Sequence, residues 1–179
     1  MGTNLLLALA LSLPLLAGGD SQWILEQSTL AYHVSHPLHE SEGITHAARG
    51  KGACHAGQCE FLIAVPVKSF DSGDSNRDLH MQQVTRAGQF PVVTVRTSLP
   101  ETAATGSTIH AALEIALAGQ TVTFKDVPFE QSTRDGLTRI TGTIPATLAA
   151  FKIEPPSLFA IPVKNEMPVR VEMAWRKQN

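Results

Sequence analysis

The stretch FDSGDSNRDLHMQQVTRAGQFPVV, residues 70–93, breaks an otherwise regular alternation of apolar and polar residues. Gly73 belongs to a polar turn, and Ser75 or Asn76 can cap a helix by offering a side-chain oxygen to the first free backbone N–H groups. The residues that follow, 77–84, contain no helix breaker. Gly88 suits the end of such a helix, and Pro91 forbids its continuation and holds Phe90 extended. A short helix is therefore expected between two strands, with Leu79, Met81, Val84 and Phe90 as its apolar contacts. In an all-β chain such an insertion serves as a lid over one end of the sheet.

Working outward, the rest of the chain alternates with period two. Leu30, Tyr32 and Val34 interleave with Ala31, His33 and Ser35; Phe61, Ile63, Val65 and Val67 interleave with Leu62, Ala64, Pro66 and Lys68. Val93 and Val95 flank Thr94, and Ile109, Ala111, Leu113, Ile115 and Leu117 form the longest such set. Val122 and Phe124 follow, and Val169, Val171, Met173 and Trp175 close the chain. Two weaker segments, 43–53 and 137–144, bring the count to about eight strands. Alternation means one buried and one wet face, hence antiparallel pairing. Breaks fall at Gly57, 100–106, Gly119-Gln120 and Asp135-Gly136, the spacing of a meander. Eight such strands can close into a barrel or stack as a sandwich.

The apolar run from Leu5 to Ala17, followed by Gly18-Gly19, has the length of a signal-peptide core and is too short for a membrane span. Residues 1–19 are expected to be a removed leader and residues 20–179 the folded domain, in a periplasmic or secreted protein. No later apolar stretch could serve as a transmembrane segment. The formal net charge of −2 and the scattered Lys and Arg speak against nucleic acid as a partner. Cys54 and Cys59 are the two cysteines; Gly57 between them suits a hairpin loop, and an oxidising compartment makes a disulfide the default.

The opening stretch also resembles the signature of the YceI-like, polyisoprenoid-binding family. Its parts are Ser69-Phe70-Asp71-Ser72-Gly73, Arg77-Asp78-Leu79-His80-Met81 and Phe90-Pro91-Val92. The opening strand from Trp23 to His36 and the hairpin around Gly119 agree with it, although Ala118 and Val122-Thr123 stand where the family commonly has His and Pro. The resemblance implies an all-β, eight-stranded antiparallel lipocalin-like barrel with a short helical cap. It implies an exported carrier of an amphipathic isoprenoid or other lipid, not an enzyme, with no cofactor beyond a bound isoprenoid or quinone. Asp71, Arg77 and Asp78 would position the cap, Arg77 and Asp78 as an ion pair. A homodimer is left open.

If the inward set faces a lumen, its lining comes from Tyr32 and Val34, from Phe61, Ile63 and Val65, and from Val93 and Val95. Leu113, Ile115, Phe124, Ile140, Val171 and Met173 continue it, and Met81 and Phe90 join from the cap. The same side chains would fill a dry core equally well. A different reading starts from His33, His36, His39, His46 and His55, which suit a metal- or haem-handling module. His33 and His36 point to opposite faces of a strand, though Pro37 allows His36 and His39 to approach. No thiolate or carboxylate spacing completes a site, so no metal ligand is assigned. There is no Gly-x-Ser-x-Gly elbow, and no catalytic residue is assigned.

Overall fold

The computed structural model describes residues 20–158 and 160–178; the expected leader, 1–19, lies outside the described residues. The first strand, β1 (Ser21–His36), is long enough to pair with three others. β2 (His39–Thr45) and β3 (Arg49–His55) lie along one side of it in a single register, Leu30 opposite Thr45 and Ser21 opposite Cys54. They are two halves of one strand, broken at 46–48, where sequence reading places a single segment over 43–53. β4 (Gln58–Pro66), helix α1 (Ser75–Val84), β5 (Val92–Pro100), β6 (Thr108–Leu117), β7 (Gln120–Arg134) and β8 (Leu137–Ile144) follow in order. A small ribbon, β9 (Ser157–Leu158) and β10 (Ile161–Pro162), precedes β11 (Val169–Gln178). β1 pairs antiparallel with β2 and β3, β3 with β4, and β4 to β8 each with the next, while β11 pairs with both β8 and β1. With β2 and β3 counted as one, the sheet is a closed barrel of eight strands, which leaves no long unpaired edge.

The hairpin tips follow from local chemistry. Ala56-Gly57, Ala118-Gly119 and Asp135-Gly136 all have positive φ at both residues. That is the type I′ turn whose twist suits a two-residue hairpin. Cys54 and Cys59 face each other across the first of these turns and form a disulfide. Both are buried on the inner side of the wall.

Two register shifts let the strands coil. One lies in β1 between Leu25 and Gln27, the other in the β6–β7 pair between Ala111 and Leu113, beside Asp126 with its positive φ of 58°. An extra residue bends the strand and inverts the inward set beyond it. Thus Val122 and Phe124 are the even-numbered inner positions of β7 before the bulge, and Val127, Phe129 and Gln131 the odd-numbered ones after it. Aromatic rings settle over glycines on the next strand: Tyr32 over Gly43 and Phe61 over Gly52. A Cβ at either glycine would lie within 2.4 Å of a ring carbon, so the close approach requires glycine.

Asp74, rather than Ser75 or Asn76, caps α1, its carboxylate accepting from the N–H groups of Asn76 at 2.9 Å and Arg77 at 3.1 Å. These bonds hold the Asp74 carboxyl below its usual range. Arg86, in the left-handed conformation, ends the helical segment two residues before Gly88. The Arg86 guanidinium then reaches the Ala118 carbonyl and lies 5.2 Å above the Phe90 ring. Opposite the disulfide hairpin, the end of the barrel is closed by α1 and by residues 145–158 and 160–168, which sequence reading left without a role. Phe151, 1 % exposed, is the plug of that second segment.

Candidate functional site

The barrel encloses a cavity of about 590 Å³, walled by β1, β2, β4 to β8 and β11 and by both end segments. Thirteen of the fifteen residues proposed for its lining do line it. Tyr32 and Val34 come from β1, Phe61, Ile63 and Val65 from β4, and Val93 and Val95 from β5. Leu113 and Ile115 come from β6, Ile140 from β8, Val171 and Met173 from β11, and Met81 from α1.

Two do not. Phe90 is 36 % exposed and lies outside, its ring against Gly119 at the tip of the β6–β7 hairpin. The reversal at Arg86, fixed by the Phe90 N–H donating to the Arg86 carbonyl at 2.9 Å, turns the ring away from the lumen. Phe124 stands behind Phe151, ring centroids 6.1 Å apart, so the plug rather than Phe124 faces the cavity. The lining missed by sequence reading includes Trp23, Phe129 and Trp175 from the strands, and Leu148, Phe151 and Ile153 from the closing segment. Their apolar character was visible, but the bulges and the path of the closing segment were not.

Asp71, Arg77 and Asp78 all bear on the loop that leads into α1. Asp71 exchanges two backbone hydrogen bonds with Ile44, each 2.9 Å, and its carboxylate accepts from Gly73 N–H at 2.7 Å. Arg77 and Asp78 do not pair with one another in the expected way; both close on Ser72. Asp78 Oδ1 accepts from the Ser72 N–H at 3.0 Å and from its hydroxyl. Arg77 donates from Nε to Ser72 Oγ at 3.0 Å and from Nη2 to the Ser72 carbonyl at 2.8 Å. Neighbouring residues on a helix diverge, so a shared third residue is the geometry by which both can fix the cap. Arg77 also lines the cavity, as does His80 one turn on.

The histidines divide. His33 contacts Glu40 at 2.8 Å, His46 bonds the Ser28 carbonyl at 3.1 Å, and His55 contacts Asp20 at 2.7 Å. His36 and His39 do approach each other, ring centroids 5.1 Å apart, and both line the cavity. His36 is buried, with Nδ1 accepting from the Leu38 N–H and Nε2 against the Ile161 carbonyl, both at 3.1 Å. Because Nδ1 is an acceptor, Nε2 carries the proton, and the ring ties the β1–β2 turn to β10. Among the described residues no three His, Cys, Asp or Glu side chains converge on a point that could hold a metal ion. Among the same residues no helix is long and apolar enough to cross a membrane.

A closed antiparallel barrel with an apolar lumen and one end covered by α1 defines a lipocalin-like fold. The chain is similar to the polyisoprenoid binding domain from Saccharophagus degradans implicated in plant cell wall breakdown. The TM-score is 0.72 at 14 % identity, over 87 % of this chain and 98 % of that one. It is similar also to BcnA of Burkholderia cenocepacia, with a TM-score of 0.69 at 17 % identity, over 82 % and 95 % of the two chains. At these identities the likeness is one of fold, and it is the fold expected from the motif around Arg77–His80. In sequence, neither known family profiles nor curated proteins match the chain.

Proposed function

We propose that this protein is an exported carrier or binding protein for an amphipathic isoprenoid or related lipid, held in the barrel lumen, and that it is not an enzyme. The observation that carries the reading is the size of the cavity together with its apolar wall. At about 24 cal/mol per Å³, the slope for cavities left by deleted side chains, 590 Å³ without packing would forfeit about 14 kcal/mol. That is the whole stability of an ordinary domain. A space of that size favours an apolar occupant, since along its apolar middle water finds few hydrogen-bond partners. A linear hydrocarbon chain gains about 0.8 kcal/mol for each methylene it buries there. The volume lies within the range of small-molecule sites. The fold shared with a polyisoprenoid binding domain supports the same ligand class. The disulfide fits an oxidising compartment outside the cytosol.

Native mass spectrometry of protein purified from its own host tests the proposal. The expected result is a one-to-one mass excess that organic extraction removes and identifies as a prenyl or acyl lipid. A bare polypeptide mass in freshly isolated protein, with no uptake of added prenol, would overturn it.

A further inference from the structure

The barrel wall is not joined equally all the way round. β4 pairs with β5 along its whole length, from Gln58 opposite Pro100 to Pro66 opposite Val92. β6 pairs with β7 from Thr108 to Leu117. Between β5 and β6, however, the ladder runs only from Thr94 opposite Ala116 to Arg96 opposite Glu114. Among the described residues no ladder pair joins 97–100 to 108–113. The ladder stops level with the register shift between Ala111 and Leu113, where the extra residue bends the strand pair and increases its twist. The result is a seam in the wall, running toward the disulfide end. Both margins face the lumen, Thr97 and Leu99 on one side, Ile109, Ala111 and Leu113 on the other.

The connector between the two strands, residues 101–107, closes the end of this seam, and its fastenings are few and polar. The Glu101 N–H donates to the Gly57 carbonyl at 2.8 Å, and Glu101 Oε1 meets Lys177 Nζ at 3.2 Å. Gln131, a buried amide on the inner face of β7, donates from Nε2 to the Ala103 carbonyl at 2.8 Å and to that of Gly106. Its backbone N–H donates to the Ser107 carbonyl at 2.8 Å. A glutamine buried in an apolar wall is costly unless its hydrogen bonds are made, and here its NH2 group is spent on the connector alone. The shut position has a cost of its own. Thr97 Oγ1, at the first unpaired position of the seam, is buried without a hydrogen-bond partner, and opening would give it water.

The other interruption of the sheet, at 46–48, is held differently. Ladder pairs flank it, Ile24 with Lys51 and Leu30 with Thr45, and His46 bonded to the Ser28 carbonyl fills it. At the opposite end of the barrel, α1 and its exit are tied to the wall by Asp71 on Ile44 and by Arg86 on Ala118. A joint with few ladder bonds opens at a lower free energy than the rest of the sheet.

We propose that the β5–β6 seam, with residues 101–107 as its flap and Gln131 as its latch, is the door through which the hydrocarbon chain of a lipid enters and leaves the lumen. The inference rests on the carrier reading and names the route its ligand takes. A chain passing there meets apolar margins and breaks no ladder pair of the seam. A door of this kind sets rates and leaves affinity alone, because it acts on entry and exit equally.

The test is stopped-flow binding of geranylgeraniol, read by the fluorescence of Trp23 and Trp175, the chain's two tryptophans, which both line the cavity. Ser98 and Ala112 are exposed residues on opposite margins of the seam. In Ser98→Cys/Ala112→Cys a short bismaleimide can bridge the new thiols while Cys54 and Cys59 stay paired. Bridging is expected to slow association and dissociation alike, by about tenfold or more, with Kd moving less than either rate. The same variant capped with a monofunctional maleimide should keep the wild-type rates. Gln131→Leu, which releases the connector, should speed association by about tenfold, the factor that one or two lost hydrogen bonds supply. A bridged seam that exchanges ligand at the unbridged rate would overturn the door. So would a Gln131→Leu protein whose connector amides exchange hydrogen faster while its association rate stays the same. Failure of geranylgeraniol to bind the wild type would overturn the carrier reading instead.

Discussion

Val95 sits midway along β5, opposite Ile63 of β4 and Ile115 of β6, and all three face the cavity. Val95→Trp adds about seven heavy atoms to the lumen wall and evicts about as many carbons of a bound chain. At about 0.8 kcal/mol per buried methylene the loss is roughly 5–6 kcal/mol, or about four orders of magnitude in Kd. The effect on stability has the opposite character. In an open lumen the indole occupies space that no protein atom fills, so Tm should hold or rise. In a filled core the same ring would overpack and cost about 1–3 kcal/mol. At about 2–4 °C per kcal/mol for a chain of this size, Tm would then fall by several degrees. A fluorescent prenol displacement assay and a thermal scan on the same sample read both quantities. Glu114→Gln, on the outer face where Glu114 meets Arg96 at 3.6 Å, is the control and should change neither. A Val95→Trp protein that loses several degrees of Tm while binding prenol normally would refute the lumen argument.

Two further outcomes concern the scaffold. Replacing Cys54 and Cys59 together by alanine should cost about 2 kcal/mol, the entropy of so short a closed loop. Prenol binding should stay largely intact, since the pair lies at a hairpin tip. In the unmodified protein neither thiol should react with an alkylating agent until reductant is added, and rapid labelling would reject the bridge. Asp74→Ala should fray the first turn of α1, seen as faster amide exchange at Asn76 and Arg77. Because the folded Asp74 carboxyl is held below its ordinary value of about 3.9, the stabilisation it gives is complete above that pH. It is lost as pH falls through the lower folded value, so wild type and variant should converge in acid; a difference that persists there would rule the cap out.

What the chain determines locally could be read without its tertiary structure. Period-two alternation places β4 to β6 and β11 with the correct inner faces, because side-chain direction follows from strand geometry alone. The glycines after Ala56, Ala118 and Asp135 mark their turns, since positive φ there needs little from the surroundings. The break in alternation at 70–93 announces a helix between strands, although the capping residue, Asp74, stands one or two positions before those expected. What alternation does not carry is phase across a bulge or distance across a barrel. The insertion beside Asp126, the division of 39–55 into two half-strands, and the turn that sets Phe90 outside are products of closure, where strands must bend and rings must find glycines to cover. The closing role of the segment around Phe151 depends on long-range contacts such as Phe151 against Phe124. Whether inward side chains meet or leave about 590 Å³ between them is set by the number and tilt of the strands around the barrel, and the same Val, Ile and Leu serve either case. The polar side chains of Tyr32, Ser41, Arg77 and His80, too, come from β1, β2 and α1, three elements that only the folded chain brings to one cavity wall.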